Sequence, residues 1–108
     1  MSEFRNVTVV KKANIYFGGN VTSRTIIFED GSKKTLGVAL PGEYTFNTVE
    51  KELMEILSGV LQFRLAGKEE WREGKAGESF EVPEKSSFTV RIKEITDYCC
   101  SFIKQVQL

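Results

Sequence analysis

Short runs of β-branched and aromatic residues, cut about every ten residues by glycine, proline or Asn/Asp turns, constrain this chain more than any other feature. Residues 7–10 and 15–17 lead into Gly18-Gly19-Asn20. Residues 25–28 run into Asp30-Gly31, a dipeptide whose left-handed conformers match the twist of a hairpin. Residues 36–40 stop at Pro41-Gly42, and residues 44–48 follow. Further runs are 60–65 with a turn at Gly67, Trp71-Arg72 with a turn at Gly74, and 79–82 before Pro83. Residues 88–93 alternate apolar and polar, and 98–103 complete the set. Such punctuation predicts an all-β sandwich or barrel.

One stretch carries two signals. In residues 49–57, Leu53, Ile56 and Leu57 fall at helical spacing, and Asn47 sits three residues ahead of Glu50 as a helix cap would. In a sheet protein the same residues form a turn over 50–52 and a strand over 53–57, because pairing with neighbouring strands overrides weak local propensity. The strand is expected here.

With 108 residues and 41% hydrophobic content, the chain suits one compact domain over residues 1–108. Lys plus Arg and Asp plus Glu both total 15, so no long-range field draws it to nucleic acid or an anionic membrane, and any anion site must be local. No apolar run approaches the roughly 18 residues that cross a bilayer. Met1 to Arg5 lacks the basic-then-apolar order of a secretory signal. A cytoplasmic location is expected, with no nucleic acid or membrane partner.

The chain has no histidine, which excludes a serine or cysteine nucleophile working with an imidazole base and any His-ligated zinc, iron or copper. Cys99 and Cys100 are adjacent; on a strand they point to opposite faces, so they read as reduced thiols and not as a disulfide or metal site. Neither an EF-hand loop nor a Gly-rich phosphate loop is present. What remains is acid, base and cation chemistry from Glu, Lys, Arg and Tyr.

Gly42, Glu52, Gly59, Gly77 and Pro83 stand at the spacing of the two cupin motifs, with the glutamate kept and the histidines missing. The finer set is Pro41-Gly42-Glu43-Tyr44-Thr45-Phe46, Ser58-Gly59, Trp71, Ala76-Gly77, Phe80, Val82-Pro83, Ser87-Phe88, Thr96, Tyr98 and Cys100. In this pattern, from Tyr16 to Phe102, the chain resembles the small cupin-type pyrimidine/purine nucleoside phosphorylase family. The resemblance implies a jelly-roll barrel, a homodimer, and conversion of nucleosides and inorganic phosphate to free base and ribose 1-phosphate, with no metal or other cofactor. Glu52 takes the motif's glutamate position; Thr48, or Asn47 in a shifted register, and Thr45 or Phe46 take the first two histidine positions, and Phe88 the third.

Phosphorolysis needs a held phosphate, an oriented sugar and a stabilised leaving base. Glu43 and Glu52 are the candidates for ribose contact and charge stabilisation, hence for catalysis. Tyr44, Phe46, Phe88 and Tyr98 are candidates for a stacking platform, which accepts different bases because each has a π face. Thr48 adds a polar contact, and Lys33 is the candidate for phosphate. Strand alternation turns Arg64 and Arg91 outward, and Trp71 suits a surface or dimer contact. The competing reading is a cupin that binds a small ligand without turnover.

Overall fold

The computed structural model describes residues 2–104. Along the chain run β1 (Thr8–Val9), β2 (Asn14–Tyr16), a 3-10 turn (Phe17–Gly19), β3 (Val21–Ile27), β4 (Lys33–Ala39), β5 (Gly42–Asn47), β6 (Lys51–Ser58), β7 (Val60–Leu65), β8 (Arg72–Lys75), β9 (Ser79–Val82), β10 (Ser87–Ile92) and β11 (Thr96–Ile103). The larger sheet has the order β1-β3-β4-β11-β6-β9, with β2 also on β3; the smaller is β5-β10-β7-β8. All pairings are antiparallel. From β4 onward the chain changes sheet at every connection except the β7–β8 hairpin, which stacks the two sheets as a jelly roll with the core between them.

The core is built by alternation. Met54 and Ile56 of β6, Leu61 and Phe63 of β7, Phe80 and Val82 of β9, and Phe88, Val90 and Ile92 of β10 point inward and are buried. Phe63 and Phe80 stack across the sheets with centroids 3.8 Å apart and planes 6° from parallel. A side chain of this size stabilises the fold by about 1.5–3 kcal/mol on burial.

The ambiguous stretch is a strand, as expected, but it starts at Lys51, where a turn over 50–52 was expected. It pairs with β11 on one side and β9 on the other, and that double ladder outweighs the helical spacing. Ile56 is thereby separated from Leu53 and Leu57, which take the opposite face. The early start also carries Glu52 onto the inner face, opposite Phe102 and Val82.

Asp30-Gly31 makes the expected β3–β4 hairpin, with the Phe28 amide donating to the Ser32 carbonyl at 2.9 Å. Gly74 does not turn the chain; it lies within β8, where a Cβ would fall 2.5 Å from Cδ1 of Ile56, so glycine there admits a close side chain. Gly59 does turn it, at φ +92° between β6 and β7, with the Ile95 carbonyl 2.6 Å from where a Cβ would sit.

Candidate functional site

The core side chains do not fill all the space between the two sheets. A cavity of about 160 Å³ remains between them. Its wall from the larger sheet follows the inner parity of β3, β4, β6 and β11: Ser23, Thr35, Glu52, Tyr98, Cys100 and Phe102 all line it. The smaller sheet contributes Phe46 and Phe88, stacked at 5.6 Å and 27°, with Asn47 at the rim. Tyr16 comes in from β2, edge-on to Phe46 at 5.9 Å. Most of the polar groups in this largely apolar cavity therefore come from the larger sheet, and its aromatic pair from the smaller one.

Register sets the depth of each group. Val21, Ala39 and Thr96 share one level across β3, β4 and β11 and are buried. Ser23, Gly37 and Tyr98 come next, then Thr25, Thr35 and Cys100. Glu52 and Phe102 stand beyond these, partly exposed, at the open end.

The electrostatics follow burial. Removal from water pushes the Glu52 carboxyl above its ordinary value; the Cys100 thiol, donating to Oε1 at 3.4 Å, pulls it back in part, and the Glu50 charge adds to the rise. Burial likewise raises the Tyr98 phenol, with Cys100, Tyr16 and Glu52 adding, while the nearby Ser23 hydroxyl acts the other way. Tyr98 is thus a neutral hydrogen-bond donor. The Cys100 thiol is raised by burial and by Glu52, which makes it a poor nucleophile. Among the described residues no three carboxylates or thiols cluster as a metal site would require.

The model of the family described as "Pyrimidine/purine nucleoside phosphorylase" matches residues 11–102. The chain belongs to the pyrimidine/purine nucleoside phosphorylase family. A relative bearing that family name, from Geotalea daltonii, is 66% identical over 103 residues, covering 95% of this chain and 99% of that protein. A solved Acinetobacter structure, described as a protein of unknown function, superposes with a TM-score of 0.93 at 46% identity, covering 95% of this chain and all of that one. An RmlC-like cupin from Shewanella frigidimarina superposes at 0.66 with 14% identity, over 94% of this chain and 86% of that one, which shows a shared cupin fold.

For this member of the pyrimidine/purine nucleoside phosphorylase family, the structure brings four of the expected residues together: Glu52, Phe46, Phe88 and Tyr98 all line the cavity. Four others lie elsewhere. Glu43 faces outward from β5, where Oε1 accepts from Arg91 Nε at 2.8 Å; the Arg91 guanidinium in turn lies 3.7 Å from the Trp71 ring centre. That expectation is corrected by parity, since Tyr44 and Phe46 take the inner side. Tyr44 is inward but buried beneath Phe17, its hydroxyl held by the Leu40 and Pro41 carbonyls at 2.8 and 3.1 Å.

Thr48 is committed to a clamp: its hydroxyl donates to the Pro83 carbonyl at 2.7 Å and accepts from the Ser86 amide at 2.9 Å. Its neighbour Asn47 lines the cavity instead. Lys33 is exposed and outside the lining, but two residues along β4 from Thr35 on the same face, beyond the open end. Arg64 and Arg91 face outward as expected, their guanidinium groups 4.8 and 3.7 Å from the Trp71 ring centre. Tyr16, Ser23 and Thr35 were not singled out in the sequence. The residues 15–17 and 25–28 expected as strands were too short to reveal the inward parity of Tyr16 and Ser23.

Proposed function

We propose that this protein is a nucleoside phosphorylase that cleaves purine and pyrimidine nucleosides with inorganic phosphate, and that the cavity between its sheets is where it does so. The observation that carries the reading is a carboxyl held above its ordinary value beside an aromatic wall, in a chain of this family. A cavity of about 160 Å³ is smaller than the roughly 300–1,000 Å³ of a site enclosing a drug-sized ligand, so it takes the base while sugar and phosphate lie toward the mouth.

The base stacks on Phe46 and Phe88, and C1′ of the sugar comes to rest near Glu52. Phosphate approaches from the open end, with Lys33 as the cation reaching over it. A phosphate oxygen attacks C1′, the glycosidic C–N bond breaks, and its electron pair goes to the base nitrogen. Glu52, whose burial favours the protonated carboxyl, gives that nitrogen a proton and regains one from the phosphate. Proton transfer from a positioned acid contributes about 10²–10⁴-fold to such a step.

The chain acts as one domain, in the cytoplasm, without a metal or cofactor. A homodimer is supported by the outer face of the larger sheet, where Val38 and Leu57 are 40% and 48% exposed. Incubation of purified protein with adenosine or uridine tests the activity. Base release that requires phosphate supports it; equal release without phosphate, or none, contradicts it.

A further inference from the structure

Glu52 and Cys100 are diagonal neighbours on adjacent strands. Glu52 of β6 pairs with Phe102 of β11, and Cys100 stands two residues further in, opposite Met54, so both side chains take the inner face and line the cavity. The Cys100 thiol donates to Oε1 of Glu52 at 3.4 Å. Cys100 is 4% exposed and Glu52 partly exposed, so the bond engages the carboxyl from its buried side. Among the described residues no cation pairs with Glu52; its neighbour Lys51 pairs with Glu81 instead, at 3.4 Å. The other titratable groups about the carboxyl are Tyr98 of β11 and Glu50 ahead of the strand, while β9 presents Val82.

The direction of this bond decides where the acidic proton sits. An oxygen that accepts from a thiol is not the one that carries the carboxyl's own proton, so in the acid form that proton belongs on Oε2. When it leaves, the bond to Oε1 becomes charge-assisted and strengthens. The sulfur keeps its proton throughout, since burial and the adjacent carboxyl push the thiol well above its ordinary value.

We propose that Cys100 is a positioning residue for the general acid: it holds Oε1 of Glu52 so that Oε2–H is the group offered to the nitrogen of the leaving base, and it steadies the carboxylate left behind. This rests on the phosphorylase reading and deepens it. Because the bond is stronger to the carboxylate than to the acid, its effect falls on the transition state and not on substrate binding.

Packing and hydrogen bonding make opposite predictions for two variants. A side chain needed only to fill space is replaced better by alanine, because Cys100→Ser buries a hydroxyl in an apolar cluster. A side chain needed as a donor is replaced better by serine. Phosphorolysis of uridine is followed against pH for the wild-type protein, Cys100→Ala and Cys100→Ser, with thermal melts of each. The Glu52 carboxyl is titrated by carbon NMR without substrate, its signal assigned by its loss in Glu52→Gln.

Cys100→Ala is expected to lower kcat about tenfold with little change in KM, and Cys100→Ser to recover most of that loss even where it melts lower. The alanine variant also lacks a donor that favours the charged carboxyl, so its Glu52 titrates at higher pH than in wild type, and the alkaline fall in rate moves up with it. An unchanged kcat in Cys100→Ala, a serine variant no faster than the alanine one, or a Glu52 titration that does not move would overturn the proposal and leave the phosphorylase standing. A titration that moves in a protein without phosphate-dependent turnover would instead remove the phosphorylase, and with it the acid that Cys100 serves.

Discussion

Gly37 and Tyr98 are paired across β4 and β11, and the phenol ring fills the space that a side chain on Gly37 would need. A Cβ there would fall 2.5 Å from Cζ of Tyr98, and 2.6 Å from both its Oη and the Thr22 carbonyl oxygen. The ring alone cannot relieve the overlap, because one of the three contacts is backbone. Gly37→Ala should destabilise the protein by about 1–3 kcal/mol and lower kcat by displacing the phenol. Urea unfolding and phosphorolysis rates check this, and wild-type values in both would refute it.

Glu52 links stability to pH. Its carboxyl is raised in the folded state by burial, so the charged form is penalised on folding. That penalty is absent below the ordinary glutamate value of 4.5 and grows as pH rises through the folded value. Glu52→Gln, which keeps an acceptor for Cys100, should therefore melt higher than wild type at neutral pH, with the gap closing below 4.5. A variant that melts lower at neutral pH would show that the carboxylate is compensated in the fold.

Glu43 was a candidate for catalysis, and its position outside the cavity makes the opposite prediction. Its ion pair with Arg91 is exposed, and such pairs contribute about 0–1 kcal/mol. Glu43→Gln should leave kcat and KM unchanged and shift stability by no more than that. A large fall in kcat would place the chemistry on the outer face of the smaller sheet.

Thr48 should behave as a structural residue. Thr48→Val removes both hydrogen bonds to the 83–86 loop and leaves the Ser86 amide without its partner, a loss of about 1–3 kcal/mol. Denaturant titration should show a clear drop in midpoint, larger than for Glu43→Gln. An unchanged midpoint would mean that the loop does not depend on this clamp.

What was legible in the sequence is what turns and alternation alone decide. Asp30-Gly31 marks its hairpin locally, and Phe88, Val90 and Ile92 declare the inner face of β10 by simple alternation. Glu52 was placed by motif spacing, although its inward direction depends on β6 starting at Lys51, which the ladders to β9 and β11 determine. Side chains whose role depends on partners distant in sequence were not legible. Asn14 and Ser23 carry no signal of their own in the sequence, and only the pairing of β2 with β3 brings them together. Tyr44 and Phe46 share a parity, yet only Phe46 reaches the cavity, while the Tyr44 hydroxyl is held by the Leu40 and Pro41 carbonyls at 2.8 and 3.1 Å. Gly74 looks like a turn, and only Ile56 of another sheet explains it.

Phosphorus NMR of the protein with uridine and inorganic phosphate tests most directly whether the cavity between the sheets performs the chemistry. A ribose 1-phosphate signal should grow in step with free uracil for the wild-type protein and for Glu43→Gln, and be reduced to a trace by Glu52→Gln. Equal signals from wild type and Glu52→Gln, or no sugar phosphate from wild type, would contradict it.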